Sequence, residues 1–398
     1  MSASSCRPET RTVRTGVATD PAHGAVIAPV YLSSTFAFAG FREPRRYDYT
    51  RSGNPTRDQL ATALAELEGG AGATITSTGL SAVLLVLQLV KAGERVVAPH
   101  DCYGGTRRLF DSLAGQGRFR VDYVDQGDAA ALTAALARPT RLLWVETPSN
   151  PLLRITDLAL AVRLARQAGA LCAVDNTFLS PALQQPLRFG ADLVVHSTTK
   201  YLNGHSDVVG GAVIARTAEL AQEVGWWGNV IGVTGAPFDS YLTLRGLRTL
   251  HVRLRAHLEN AAAVAEVLAR HPAVARVYYP GLRDHPGHAL ARAQQQGAGA
   301  MVSFELAGGE PAVPAFLDGL ACFTLAESLG GVESLVAHPA TMTHASITAE
   351  QQRAAGITGG LLRLSVGIEA TEDLVADLEA ALDRALVRTS AELAAPVA

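Results

Sequence analysis

Between about residues 73 and 215, short apolar and β-branched runs alternate with longer stretches of amphipathic helical pattern. The strand-like runs read ATITST, RVVAP, RLLWVE, LCAVDN and DLVVHS, and the helical stretches between them include TDLALAVRLARQAGA. Parallel strands need helical crossovers, so this alternation predicts a largely parallel sheet with helices on both faces. The expected fold class is therefore α/β.

The chain has 398 residues, too many for one ordinary core, which favours two domains and a small appendage. Residues 1–60 are expected to form an N-terminal arm, and a helix is predicted to start with a capping box at Thr56 and Gln59 and to end at Gly69. Residues 61–255 are predicted to form the α/β domain. Residues 256–398 are predicted to form a smaller α+β domain, joined to the first by a long helix near 250–270.

Composition excludes several classes of function. The net charge is −3 and the basic residues are scattered, so neither a nucleic acid nor a membrane is indicated as a partner. The four cysteines are widely spaced and form no cluster with histidine, which indicates neither a disulfide framework nor a metal site. No signal-peptide pattern and no apolar run of spanning length are present, and a cytoplasmic location is expected.

Polar residues cluster directly after four of the predicted strands. In an open α/β sheet, ligands bind beyond the carboxyl ends of the strands. The clusters therefore predict one site on one rim of the sheet. They comprise residues 100–105, 147–151, 175–177 and 196–200.

Lys200, in the last of these clusters, shares the chain with only one other lysine, Lys91, among 34 basic residues. Arginine cannot be deprotonated in a protein, whereas a lysine in a low-dielectric pocket can lose its proton and attack an aldehyde. Taken alone, Lys200 is as consistent with an ordinary surface lysine as with a nucleophile.

The neighbours of Lys200 favour a phosphate-bearing aldehyde. Ser197 and Thr199 offer hydroxyl groups, and the sequence STGLS places Gly79 between a strand and the N-terminus of a helix, where free N–H groups attract anions. An ordinary capped helix start would look similar. The segment is neither a GxGxxG fingerprint nor a P-loop.

Two further side chains complete a recognisable set. Asp175 follows four apolar residues and could pair with a protonated ring nitrogen, although a salt bridge or a helix cap is an alternative. Tyr103 could stack on an aromatic ring or simply pack in its loop. Together these residues indicate pyridoxal 5′-phosphate (PLP) as the cofactor. They offer a lysine that can react with its aldehyde, groups that can bind its phosphate, an acid that can pair with its ring nitrogen and an aromatic ring that can stack on it.

Long motifs support this interpretation. They include YDYTRSGNPTR, APHDCYGGTRRLFDSLA, ETPSNPLLRITD, VDNTFLSPALQQPL, HSTTKYLNGHSDVV, IGVTGAPFDSYLTLRGLRTL, FTLAESLGGVESL and LLRLSVGIE. Over residues 11–387 the chain resembles the Cys/Met-metabolism family of PLP enzymes. The resemblance implies fold type I, the aspartate aminotransferase-like fold, with PLP bound by the larger domain.

The resemblance also implies a role for each candidate residue. Lys200 would form a Schiff base with the cofactor and Asp175 would keep the pyridine nitrogen protonated, while Tyr103 would stack on the ring and help to move protons. The phosphate contacts would be Gly79, Leu80, Ser197 and Thr199. Tyr49 and Arg51 in the arm would complete the phosphate site of a neighbouring subunit, and the assembly would be a homotetramer made of two dimers. Substrate contacts would be Asn150, Ser328 and Arg363, with Arg108 near the acyl group.

The reaction expected from the resemblance is γ-replacement on O-succinylhomoserine or O-acetylhomoserine by cysteine, which gives cystathionine in transsulfuration and methionine biosynthesis. Cystathionine γ-elimination, sulfhydrylation of an O-acylhomoserine and a catalytically silent PLP-binding protein are the alternatives. Gly105 replaces a cysteine typical of methionine γ-lyases. Ser52 replaces a second arginine found in some synthases, which favours the lyase alternative and leaves the acyl group open. Cys102 has no role beyond packing.

Overall fold

The computed structural model describes residues 6–345 and 347–394, and seven of its strands form one large sheet. The strand order is β1-β7-β6-β5-β4-β2-β3, and only β7 runs antiparallel to its neighbours. The prediction of a largely parallel sheet is confirmed. The strands are β1 Gly72–Thr76, β2 Arg95–Pro99, β3 Arg120–Val124, β4 Leu142–Glu146, β5 Leu171–Asp175, β6 Leu193–Ser197 and β7 Gly211–Ala215.

Helices cover both faces of this sheet because its central strands are apolar on both sides. Along β4, Leu143 and Val145 face one apolar cluster, while Leu142 and Trp144 face the other. A short 3₁₀ helix spans Pro186–Phe189. The helices in this part of the chain are α1 Pro8–Arg14, α2 Pro55–Glu68, α3 Gly79–Leu87, α4 Gly104–Gly115, α5 Ala129–Leu136, α6 Leu158–Gln167, α7 Ser180–Leu183, α8 Ala218–Ile231, α9 Pro237–Leu247 and α10 Leu250–Arg270.

After α10, five strands form a second, smaller sheet of order β10-β11-β12-β9-β8, in which only β10 and β11 are parallel. Its strands are β8 Val274–Tyr278, β9 Met301–Leu306, β10 Thr324–Leu325, β11 Leu335–Ala337 and β12 Leu361–Ser365. A 3₁₀ helix spans Glu310–Ala312. The helices here are α11 His288–Gln294, α12 Val313–Leu317, α13 Ala349–Ala355 and α14 Thr371–Ala394.

The start of α2 differs from the prediction. The N-cap is Asn54, whose side chain accepts hydrogen bonds from the backbone N–H groups of Thr56 and Arg57 at 2.9 and 3.3 Å. Pro55 occupies the first helical position, where its missing N–H costs nothing, so the helix begins before Thr56 and the predicted capping box is wrong. The predicted end is confirmed, because Gly69 closes the helix at φ 77°.

Strands β4, β5 and β6 are neighbours in the large sheet and β2 pairs with β4, so their carboxyl ends share one rim. The four polar clusters predicted from the sequence follow these four strands. From the small sheet, β12 brings Arg363 to the same place. Within residues 6–345 and 347–394, no helix is both long and apolar enough to cross a bilayer.

Candidate active site

A cavity of about 440 Å³ opens at the rim where the strands end. Most of the predicted site residues line it together. They are Gly79, Leu80, Tyr103, Asn150, Asp175, Ser197, Thr199, Lys200, Ser328 and Arg363. Glu146 and Glu327 also line it. Residues from 79 to 363 are therefore brought into one site by the packing of the two sheets.

Lys200 follows β6, and its Nζ donates a hydrogen bond of 2.7 Å to Oγ of Ser328. The pKa of Lys200 is lowered to about 8, mainly by burial and also by the charge of Arg363, against the opposing charge of Glu327. A lysine whose pKa lies this close to neutrality has a substantial fraction of free amine. Lys200 can therefore act as a nucleophile and as a base.

Asp175 ends β5 and faces the cavity. Its Oδ1 accepts a hydrogen bond of 3.0 Å from the backbone N–H of Thr177. Burial raises the pKa of Asp175, while the bonds from Thr177 and the nearby His196 lower it. A half-buried carboxylate with so few partners can accept a further cationic or N–H group.

The N-terminus of α3 forms one wall of the cavity. Thr78 caps the helix by accepting the N–H of Ser81 at 2.9 Å. A Cβ atom added to Gly79 would lie 2.8 Å from Cβ of Ser197, so only glycine allows α3 to approach β6 this closely. The hydroxyl of Thr199 is already bonded to the backbone of Gly210, accepting its N–H at 3.0 Å. Helix N–H groups and hydroxyls at this wall suit a phosphate group.

Tyr103 is the N-cap of α4, and its side chain is 40% exposed at the mouth of the cavity. Burial of its inner part and the charge of Glu327 raise the pKa of the hydroxyl, although Arg108 opposes them. A Cβ atom added to Gly105 would lie 2.5 Å from Cε1 of Tyr103. Glycine at position 105 therefore leaves room for the ring at the mouth of the cavity.

Arg363 is a buried cation, only 2% exposed, with neutral hydrogen-bond partners. Its Nη1 donates to Oδ1 of Asn150 at 2.8 Å and its Nη2 donates to the carbonyl of Ser328 at 3.1 Å. Its Nε has no partner among the described residues. Burial lowers the pKa of Arg363 to about 10, yet the group stays charged at neutral pH. The arrangement can accept an anionic carboxylate from a ligand.

Three predicted residues are not among those that line this chain's cavity. The side chain of Arg51 donates to the carbonyl oxygen and to Oδ1 of Asn229, at 2.9 and 3.0 Å. Tyr49 is 50% exposed. Arg108 is exposed on α4, where its charge acts on the hydroxyl of Tyr103. The predicted roles of these three side chains need a partner subunit or a bound substrate.

Two side chains at the site carry no role in the sequence-based prediction. The hydroxyl of Thr177 accepts the backbone N–H of Ser197 at 2.9 Å, which joins the ends of β5 and β6. Glu146 ends β4 in register with Asp175 and is 5% exposed. A charged residue at the end of an apolar run was the signal for Glu146, as it was for Asp175.

The side chains fit PLP. The cavity combines a lysine of lowered pKa, a half-buried carboxylate, an aromatic ring and a wall suited to an anion. This anion wall consists of the N-terminus of α3 at Gly79 and the hydroxyls of Ser197 and Thr199. These are the features that PLP requires. Among the described residues, no group of three histidine, cysteine or acidic side chains is placed to hold a metal ion. Cys102, next to Tyr103 in the chain, is buried, and burial raises the pKa of its thiol.

Known proteins resemble the chain over nearly its full length. The family model described as Cys/Met metabolism PLP-dependent enzyme matches residues 9–383. The chain is 59% identical to cystathionine gamma-synthase of Escherichia coli, over 92% of this chain and 95% of that protein. It is 48% identical to cystathionine beta-lyase of Lactococcus lactis subsp. cremoris, over 94% of this chain and 99% of that protein. A crystal structure of cystathionine gamma synthase from Xanthomonas oryzae pv. oryzae in complex with cystathionine superposes with a TM-score of 0.95, at 63% identity, covering 96% of this chain and 99% of that one.

Proposed function

The chain belongs to the family of Cys/Met metabolism PLP-dependent enzymes, and from this premise we propose that it catalyses the cystathionine gamma-synthase reaction. In this reaction the sulfur of cysteine replaces the acyl-oxygen group on Cγ of an O-acylhomoserine, giving cystathionine and the free acid. The observation that carries the proposal is the 63% identity to a protein solved with cystathionine, in a chain whose own lysine, aspartate and arginine line one cavity.

PLP supplies an aldehyde that condenses with amines and a pyridinium ring that takes up the electrons released at the substrate Cα. Lys200 would hold the aldehyde carbon, and the carboxylate of Asp175 would hold the ring nitrogen in its protonated form. The ring of Tyr103 would cover one face of the pyridine. The phosphate would be held by the N-terminus of α3 at Gly79 and Leu80 and by the hydroxyls of Ser197 and Thr199.

Arg363 would bind the α-carboxylate of the amino-acid substrate. Its Nη atoms already have fixed directions, because Asn150 and the carbonyl of Ser328 each accept one of its N–H groups. None of the hydrogen-bond partners of this buried guanidinium is negatively charged. A substrate carboxylate would supply that negative charge through charge-assisted hydrogen bonds. Arg108, on the exposed side of Tyr103, would lie towards the acyl group.

Lys200 would also move protons. With a pKa lowered to about 8, its neutral amine would take a proton from the substrate Cα. The raised pKa of Tyr103 keeps that hydroxyl protonated at neutral pH, so Tyr103 can donate a proton where Lys200 accepts one. Once Lys200 has released the Cα proton and is neutral again, its amine would take a proton from Cβ, and the acyl-oxygen group would leave Cγ with the bonding electrons as the carboxylate of the free acid.

The proposal extends to assembly and location. Tyr49 and Arg51 do not line this chain's cavity, and we assign them to the phosphate site of a neighbouring subunit. This requires a dimer, and we propose a homotetramer of two dimers acting on small amino-acid substrates in the cytoplasm. Residues 1–60 would be the arm that reaches the neighbour, residues 61–255 the PLP-binding domain and residues 256–398 the C-terminal domain.

A second candidate reaction is γ-elimination from cystathionine. Ser52 favours it, because its hydroxyl donates to Oδ1 of Asp48 at 2.7 Å where some synthases carry an arginine that could bind a succinyl carboxylate. A solved structure of cystathionine gamma-lyase from Lactobacillus plantarum is 42% identical to this chain, covers 97% of it and superposes with a TM-score of 0.92, which also supports this alternative.

A product assay separates the two reactions. Purified protein with PLP would be mixed with O-succinylhomoserine or O-acetylhomoserine and either cysteine or sulfide, and cystathionine alone would be run in parallel. Mass spectrometry should identify cystathionine as the main product from one of the two esters, which also names the acyl donor. Rapid formation of 2-oxobutanoate from cystathionine, with little replacement, would instead establish the lyase.

A further inference from the structure

Glu146 lies beneath the cavity at the end of β4, directly opposite Asp175 on β5. It is 5% exposed and has no lysine or arginine within ion-pair distance among the described residues. Burial and the charge of Asp175 raise the pKa of Glu146, while two backbone N–H groups lower it. Burying a carboxylate with no cation beside it costs free energy, which its hydrogen bonds must offset.

Its two oxygens bind two different loops. Oε2 accepts the backbone N–H of Tyr103 at 2.9 Å, and Oε1 accepts the backbone N–H of Asn150 at 3.1 Å. Both bonded residues have side chains at the cavity. Tyr103 is the N-cap of α4 and has no side-chain cap bond of its own, so the carboxylate also lies at the positive end of that helix.

We propose that Glu146 is a positioning residue that fixes the Tyr103 ring against the cofactor and fixes the Asn150 amide against Arg363. One rigid carboxylate at the end of a buried strand sets the position of both loops, because each of its oxygens is committed to one loop. The effect reaches the substrate through Asn150, whose Oδ1 accepts from Arg363 at 2.8 Å. The inference rests on the proposed function, since it assumes PLP beneath Tyr103.

Glu146→Gln tests the bonds directly. Glutamine has the same shape but only one oxygen acceptor, and its NH₂ group would meet the second backbone N–H as another donor. One loop must then move or leave its N–H unpaired. Glu146→Asp is the complementary variant, because it keeps the charge but is one methylene shorter and cannot reach both loops.

The readouts are the dissociation constant of PLP, measured by titrating the apo protein, and the visible circular dichroism of the bound cofactor, which reports how the ring sits in its asymmetric site. In Glu146→Gln we expect PLP binding to weaken about tenfold, as for a buried N–H that loses its acceptor, with an altered dichroic band. The KM for the amino-acid substrate should rise more than kcat falls. Glu146→Asp should show the same spectral change despite its retained charge.

The matched control is Glu94→Gln. Glu94 directly precedes β2, at the end of that strand opposite the Tyr103 loop, and its Oε2 accepts the backbone N–H of Lys91 at 2.6 Å. This variant also alters a carboxylate that accepts a backbone N–H, and it should keep the wild-type PLP dissociation constant and dichroic band. The inference is overturned if Glu146→Gln binds PLP with the wild-type constant and band, if Glu146→Asp restores the band, or if Glu94→Gln changes it equally. A wild-type protein that forms no visible band with PLP would contradict the proposed function and the inference together. A wild-type band combined with any of the outcomes above would contradict the inference alone.

Discussion

Lys200 owes its chemistry to its surroundings. The side chain extends from the end of β6 into a cavity where the amine has one hydrogen-bond acceptor, Oγ of Ser328, and a second cation, Arg363, nearby. Burial removes water from the ammonium form and Arg363 repels it, so both effects favour the free amine. Lys91, the other lysine, lies exposed after α3 and meets none of these conditions.

The lowered pKa of Lys200 predicts a pH dependence for cofactor uptake. Only the neutral amine attacks the aldehyde, so the rate at which apo protein takes up PLP should rise with pH and level off above about 8. Stopped-flow absorbance over a series of buffers measures this rate. A rate that keeps rising towards pH 10.5, the pKa of an ordinary lysine, would contradict the burial of the amine.

The substitution Lys200→Arg tests whether this residue forms the covalent link to PLP. Arginine stays protonated, so the variant should form no covalent link that borohydride can trap and should lose turnover completely. Intact-protein mass spectrometry after reduction shows the link in the wild type. Lys91→Arg is the matched control and should keep both the link and the activity. A fully active Lys200→Arg protein would show that the assigned site is wrong.

Among the elements, helix α3 and strand β6 form the anion wall together. The approach of the two backbones depends on Gly79, and the helix start depends on the side chain of Thr78, which accepts the N–H of Ser81. The wall thus combines a free helix N-terminus from one element with hydroxyls from the loop after the other. The helix end would supply N–H groups and the positive end of its dipole to a phosphate, and the hydroxyls would add further donors to the same anion.

Gly79→Ala should separate these elements. The new Cβ would lie 2.8 Å from Cβ of Ser197 and 3.1 Å from its Cα, so the helix must move, at a cost of about 1–3 kcal/mol typical of overpacking. With that cost falling on the bound form, we expect PLP to bind about 5-fold to 150-fold more weakly. Titration of the apo variant with PLP measures this. Gly115→Ala is the control, since a Cβ there meets nothing within 4 Å and affinity should not change.

At the scale of the whole molecule, the site lies between the two sheets. The large sheet supplies Lys200 and Asp175, and the small sheet supplies Arg363 from β12. Hydrogen bonds from Arg363 to Asn150 and from Lys200 to Ser328 cross between the two parts of the chain. In the proposed function, substrate and cofactor would therefore be held by different sheets, and their relative position would depend on how the sheets pack.

The placement of Tyr49 and Arg51 outside their own chain's cavity predicts complementation between subunits. Lys200→Arg and Arg51→Ala should each be inactive alone. After mixed refolding or coexpression, a hybrid dimer would carry one site with both residues intact. We expect about a quarter of the wild-type specific activity, because random pairing makes half of the dimers hybrid and each hybrid has one good site. Size-exclusion chromatography with activity measurements tests this. Two inactive variants that remain inactive as verified hybrids would assign Arg51 to its own chain.

The sequence by itself determined the local features. Alternating apolar runs predicted five strands of the large sheet, because side-chain periodicity records which face of an element is buried. Lys200, Asp175, Gly79 and Tyr103 were identifiable because each stands at the end of a strand or the start of a helix. The motifs also identified the family, which the comparisons confirm. Strands β3 and β7 were not predicted. β3 does alternate polar and apolar residues from Arg120 to Tyr123, but the run is short and lies partly exposed at the edge of the sheet, and β7 is a short apolar run containing glycine.

The tertiary structure alone decided which distant residues meet. Lys200 and Ser328 are 128 residues apart, and Arg363 lies 213 residues from Asn150, so no local pattern links them. The two bonds of Glu146 exist only because the loops after β2 and β4 both return to the end of β4. Periodicity fixes what each segment buries, whereas the partner it is buried against is decided by the packing of the assembled sheets.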